Sequence, residues 1–245
     1  VGIPYNTSAD WKVVQESGSS QAGPMITTGS IPVGFPASSV TISNAAAWLS
    51  GGKYLLTSVN QDTDMWSGGT YWAFIVDRKG RLVWTRKATN PAWTLYSQVA
   101  VTRDHLLVDE SNYSYFHGDD LSRVVRTYLD AEIEKIPTPG LHHAFVQLPD
   151  GTLAWGQHGE KLVEKKPGDV VDTVIWDSST DWTPTAHYIA SNCLFYVQES
   201  NTYLYSFYSN STVAEINRAT GVVVWWAGGE PGGYTFVPAD SQFDW

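Results

Sequence analysis

The stretch Gly140–Gln157, GLHHAFVQLPDGTLAWGQ, decides how the chain is read. It opens on the pair His142-His143 and continues as alternating apolar residues. It then turns at Asp150-Gly151 and ends in a second apolar run. Asp-Gly readily adopts the positive-φ turns that join two antiparallel strands, so the pattern predicts a β-hairpin with Phe145 and Gln147 in its first strand. The histidines sit at the entry of that strand.

Working outward, the rest of the chain repeats this hairpin without its histidines. The unit is a strand, a Gly/Asp turn, an apolar strand, a polar loop, and a strand-turn-strand ending in aliphatics and Trp. The first copy is GGKYLLTS (51–58) with YWAFIVDRKGRLVW (71–84), and the second is VAVTRDHLLVDE (99–110) with YFHGDDLSRVVRTYL (115–129). The third is AFVQLPDGTLAWGQ (144–157) with KPGDVVDTVIW (166–176), and the fourth is NCLFYVQESNTYLYSF (192–207) with STVAEINRATGVVVWW (211–226). Leu55, Leu107, Leu153 and Leu204 mark equivalent places, about fifty residues apart, which is the period of a four-stranded propeller blade. The endings DRKGRLVW and NRATGVVVWW match most closely. Within a blade, one face of each strand packs on the next blade, so stacking around an axis supplies the core.

The expected fold is therefore all-β: a β-propeller with about four blades in this chain. The ring, of six blades on the resemblance described below, would be completed by a missing segment or a second chain. Residues 1–44, rich in Ser, Gly and Pro, read as an extended lead-in, with short strands at Trp11–Val14 and Ile31–Val33. Blades are expected at about 45–95, 96–140, 141–180 and 181–233, with a further one beginning at 234–245. Asp130–Ile136 is the best helical candidate.

Composition narrows the partners. The formal net charge is −10 and basic residues form no cluster along the sequence, which argues against nucleic acid or an anionic membrane surface as partner. No apolar run approaches the ~20 residues of a membrane span. Twelve Trp and thirteen Tyr suit strands and also pockets for flat or sugar-like ligands. The single cysteine, Cys193, flanked by Leu194 and Phe195, reads as a buried small hydrophobe. The start VGIPYNTSADW has neither the basic nor the apolar region of a signal peptide, and it lacks an initiator Met. The chain is thus expected to begin after processing or at a boundary chosen within a longer polypeptide.

In a propeller the first strand of each blade aims its first residues at the central channel. Counting back from the repeat leucines places His142 and His143 there in the third copy and Tyr96 and Ser97 in the second. His187 precedes the strand in the fourth. A tyrosine and histidines from separate blades are thus expected to meet. Histidine at such a place can be a general base, a nucleophile or a metal ligand, although HxH, HExxH and cysteine clusters are lacking, so no metal is expected. His105 and His117 lie beside charged turn residues and read as solvated, and His158 as a loop residue. Trp84, Trp176, Trp225 and Trp226 end strands and read as packing residues.

Three stretches resemble the arylsulfotransferase family of secreted or periplasmic propeller enzymes. LHHAFVQLPDGTLAW (141–155) is similar to that family's His-His-Asp and Leu-Pro-Asn-Gly pattern. DWTPTAHYIASN with YLYSFYSNSTVAEINRATGVVVWWAGG is similar to its following His and Ser-containing strand, and TFVPADSQFDW (235–245) to the segment ahead of its nucleophilic histidine. The resemblance implies a six-bladed ring, an exported protein and cofactor-free sulfuryl transfer from an aryl sulfate to a phenol through a sulfohistidine. His142, His143 and His187 are accordingly expected to be catalytic, and Tyr96, Ser97, Asn192 and Tyr208 to line the substrate, a small aromatic molecule. Ala144 stands where the family has Asp, and Tyr208 stands near the place of an Arg. The nucleophilic histidine falls just past Trp245. A lyase or hydrolase using His and Tyr on an aromatic or carbohydrate substrate, and a non-catalytic binding propeller, are the alternatives.

Overall fold

The computed structural model describes residues 2–36, 41, 51–60, 70–88, 93–100, 102–112, 121–129, 131–158, 160–182 and 191–234, with the backbone alone for 93–96, 111, 112, 133 and 142. Its regular structure, among the described residues, is all β. Two compact units divide between Ser97 and Gln98.

In the first unit, β1 (Ser8–Ala9), β2 (Lys12–Val14), β3 (Ser20–Ala22) and β4 (Ile26–Thr27) form two small antiparallel pairs, β1 with β4 and β2 with β3. Ile31–Val33 forms no strand, and Val33 is almost fully exposed. β5 (Tyr54–Asn60), β6 (Tyr71–Asp77) and β7 (Leu82–Lys87) make a three-stranded meander. The lead-in attaches to its outer edge. The Tyr5 N–H donates to the Leu82 carbonyl at 2.9 Å, and the Tyr5 and Thr85 hydroxyls lie 3.1 Å apart. The division between units falls within β8 (Trp93–Val99).

The second unit continues with β9 (Leu106–Asn112), β10 (Arg123–Thr127), β11 (Glu132–Pro137), β12 (Leu141–Gln147), β13 (Leu153–Gln157), β14 (Lys161–Lys165), β15 (Thr173–Asp177), β16 (Ser191–Val197), β17 (Thr202–Phe207), β18 (Thr212–Asn217) and β19 (Val223–Gly228). These make four-stranded antiparallel sheets in strict chain order: β8 to β11, β12 to β15 and β16 to β19. The segment with the best helical composition is therefore strand β11. Its neighbour β10 supplies a ladder, and Arg126 pairs with Glu134 across it at 2.9 Å, so tertiary pairing overrides local propensity.

Period-two alternation explains the packing. In the middle sheet Ala144, Ala154 and Leu162 join Leu194, Tyr203, Tyr205, Phe207 and Ile216 of the following sheet. Their sequence neighbours Phe145, Leu153, Trp155 and Val163 join Leu107 and Val124 of the preceding one. Strands β12, β13 and β14 thus bury both faces, one on either side, and each fully buried large apolar side chain contributes about 1.5–3 kcal/mol. Trp176 is fully buried against Trp182, Tyr205 and Phe207, the packing role expected of a strand-ending tryptophan. The same alternation corrects the reading of Cys193: Leu194 points inward at 3% exposure, so Cys193 and Phe195 point outward and the thiol is exposed.

A register shift recurs between the last two strands of each sheet of three or four strands, at Ile75/Val76, Arg126/Thr127, Leu162/Val163 and Glu215/Ile216. Aligned on it, Leu55 corresponds to Leu106, Trp155 and Tyr203 rather than to Leu107, Leu153 and Leu204. Strand β5 then occupies the second place of its sheet, and residues 42–50 are outside the described residues.

Candidate functional site

Strand β12 begins irregularly. Leu141 pairs with Gln157 and Phe145 with Trp155, so three residues, 142–144, face the single Gly156. His143 sits in this bulge with φ 64°, in the left-handed region. A non-glycine residue there costs roughly 1–2 kcal/mol, and bulges of this kind re-aim side chains. Its neighbours Leu141 and Ala144 are anchored in the two inter-sheet cores, which leaves the intervening backbone to absorb the excess length. The His143 side chain is half-buried.

The first strand of the next sheet, β16, packs beside β12 and begins in the same way. Ser191 pairs with Phe207 and Cys193 with Ser206, which leaves Asn192 as the extra residue. Ser191 is fully buried. Gly156 makes the close approach of the two sheets possible, because a Cβ there would collide with the Tyr205 hydroxyl and Ser191 Oγ. Burial pushes the Tyr205 phenol well above its ordinary pKa, with a partial offset from the Ser191 hydroxyl. It stays neutral.

His158 also belongs to this end. Its N–H donates to the Gly140 carbonyl at 2.7 Å, and a Cβ on Gly140 would lie 2.9 Å from His158 Nε2, so its ring lies over the residue just ahead of β12. The Trp155 and Gln157 side chains both donate to the Pro139 carbonyl, at 3.0 and 3.3 Å, and hold the approach to the bulge. The Gln98 side-chain amide donates to the Phe145 carbonyl at 2.8 Å. Sequence reading passed over Gln98 and treated His158 as a loop residue. The available signal was the Gly-Gln-His run directly behind the strand that pairs with His143's own.

Of the expected site residues, the structure brings His143 and Asn192 to the bulged entries of adjacent strands. Tyr208 follows Phe207, the partner of Ser191, and so lies at the same end of its sheet, about half-exposed in a turn. Ser97 is the last residue of the first unit, and its hydroxyl is buried with no hydrogen-bond partner among the described residues. The side chains of Tyr96 and His142, and all of His187 and His117, lie outside the described residues. His105 is not solvated: its side chain is 10% exposed, with Nδ1 2.7 Å from Asp104.

The opposite end of the same two sheets carries a different arrangement. Arg218, in the turn after β18, grips Glu164 of β14 through Nε and Nη2 at 2.7 and 2.9 Å, and the Tyr203 hydroxyl donates to the same carboxylate at 2.6 Å. Burial, then the bond to Glu164, pushes the Tyr203 phenol far above its ordinary range. A cleft of about 310 Å³ opens beside this group, between Lys166, Thr173 and Asn201. With Glu164, Arg218 and Tyr203 committed to one another, this end is a lock between sheets rather than acid–base machinery.

No protein-family model and no curated protein matches the sequence. Among solved structures the chain is similar to one in a nidogen/laminin complex, at 9% identity over 64% of this chain and 58% of that one, with a TM-score of 0.44. It is also similar to a putative 6-phosphogluconolactonase from Bacteroides uniformis, at 11% identity over 85% and 59%, with a TM-score of 0.42. Saccharomyces cerevisiae Sqt1 follows, at 10% over 91% and 56%, with 0.41. The chain spans less than two thirds of each of these structures, and at these scores the likeness carries no argument about chemistry.

Proposed function

We propose that the sheets are consecutive blades of a β-propeller and that the common end of β12 and β16 opens into an axial pocket for a small aromatic molecule. The reaction proposed is sulfuryl transfer between an aryl sulfate and a phenol, with His143 carrying the proton of the phenolic oxygen. Meander sheets in chain order, with the middle sheet β12–β15 burying one face on each of its neighbours, support the radial arrangement. The observation that carries the site is His143 held at φ 64° in a bulge, because backbone strain persists where its surroundings over-determine it and clusters at working sites. Histidine suits the task because its ordinary pKa lies near neutrality.

Turnover of 4-nitrophenyl sulfate with a phenol acceptor tests the proposal. His143→Asn is the informative variant, since Asn accepts a left-handed conformation but cannot exchange a proton at neutral pH. The expected loss is about 10²–10⁴-fold in rate with an unchanged urea midpoint. An unchanged rate sinks the proposal. A second reading, a propeller that binds the aromatic without turning it over, is favoured by Ala144, which is fully buried in an apolar core where the family carries Asp. Binding of 4-nitrophenyl sulfate by the wild-type protein without release of nitrophenol would select that reading.

A further inference from the structure

The turns closing the first and fourth repeats are built alike. Asp77 Oδ1 accepts the Lys79 N–H at 2.9 Å, and Asn217 Oδ1 accepts the Ala219 N–H at 3.0 Å. On the shared register, Arg78 takes the place of Arg218, Lys79 that of Ala219, and Lys53, just ahead of β5, that of Asn201, just ahead of β17. A hollow lies at this place in both repeats. In the fourth it is the cleft beside Arg218 and Glu164, where the anion facing the arginine is a protein carboxylate. In the first it measures about 320 Å³ and is lined by Lys53, Tyr54, Asp77, Arg78, Lys79 and Arg81.

The charge differs sharply. Two neutral residues of the fourth repeat are replaced by lysines, so four cations surround one carboxylate. That carboxylate is already committed: Arg81 holds Asp77 through Nε and Nη2 at 2.8 and 2.7 Å. Among the described residues Lys53 and Lys79 have no carboxylate partner. In a chain of net charge −10, a concentration of cations in one hollow does not follow from composition. Tyr54 forms the wall, 48% exposed, with its hydroxyl end closed by Gly2. The volume lies at the low end of the small-molecule range.

We infer that this hollow binds a small ring-bearing organic anion, with a carboxylate or sulfate group between Lys53 and Lys79 and the ring laid against Tyr54. The fourth repeat shows the head-group chemistry, since its arginine takes a carboxylate in bidentate fashion. The site belongs to the first unit and does not depend on the histidine pocket.

Calorimetric titration of the full chain with benzoate and D-glucuronate, against acetate and glucose, is the test. Both ring acids are expected to bind at least tenfold tighter than acetate, and glucose not at all. The double variant Lys53→Ala/Lys79→Ala is expected to lose at least tenfold, Tyr54→Ala to abolish the preference for ring acids over acetate, and Lys166→Ala to change nothing. Absence of binding by either ring acid overturns the inference. So does equal binding of acetate, or a double variant that binds like wild type, because each reports diffuse attraction rather than a site. His143→Asn is expected to leave these affinities unchanged, which separates a failure here from a failure of the sulfuryl-transfer reading.

Discussion

The two ends of the sheet pair β12–β15 and β16–β19 are built on opposite principles. At one end a carboxylate, a guanidinium and a phenol close on one another across the interface, and nothing is left unspent. At the other, both first strands start with a register shift, one of them holding a histidine in the left-handed region. The lesson is that irregular geometry is held by regular geometry at a distance. The lock and the inter-sheet core fix the strands, and the bulged entries take whatever backbone that leaves.

Breaking the locked end should have the largest effect. Arg218→Met strands the Glu164 carboxylate, which is only 6% exposed, and is expected to cost about 3–5 kcal/mol in urea unfolding. The double variant Glu164→Gln/Arg218→Met should recover more than half of that. A single-variant cost below about 1 kcal/mol would mean that the end is not a lock. Gly156→Ala comes next, at about 1–3 kcal/mol, because its methyl group meets Tyr205 and Ser191. Adding Tyr205→Phe should return part of the loss, since removing the hydroxyl makes room.

At the irregular end the expected effect is smaller and depends on the replacement. His143→Gly should exceed His143→Ala in stability by about 1 kcal/mol, since only glycine meets φ 64° without penalty. Equal stabilities would show that the bulge relaxes. The smallest effect is a pH dependence. Burial works against ionisation of Asp150, but the Thr152 N–H and the Arg218 charge outweigh it and hold the carboxyl below its ordinary value. A carboxyl lowered in the folded state contributes stability above its unfolded pKa of about 4, and this is lost as pH falls through the folded value. Asp150→Asn should therefore unfold slightly more easily at neutral pH and converge with wild type at the acid end of an unfolding series.

Alternation made most of the fold legible. Ala144 and Phe145, or Leu153, Ala154 and Trp155, announce a strand with two buried faces, and the Asp150-Gly151 turn fixes where it reverses. Composition misled at 130–136, where Ala and Glu favour a helix until Arg126 and its strand are alongside. It misled again at Cys193, whose outward place follows from counting faces rather than from its apolar neighbours. The repeat was visible but not its register, because the shift between the last two strands moves the pairing by a residue and no side chain announces it. The sheet lock joins residues 54 positions apart and has no local signature. Its one trace is Glu164, an acid within the buried run of KLVEK. Of the site, His143 could be placed at a strand entry by counting, while Asn192 is expected only as a substrate-lining residue. The bulges that orient them depend on Gly156 and on the sheet beyond.

Tyr5 gives the lead-in a further consequence. A strand at the rim of a sheet offers unpaired amide and carbonyl groups to any passing chain, a familiar route to aggregation. By occupying the Leu82 carbonyl and holding Thr85, Tyr5 puts the protein's own N-terminal segment at part of that rim. Trimming the first few residues should therefore show itself as a loss of solubility before any loss of fold.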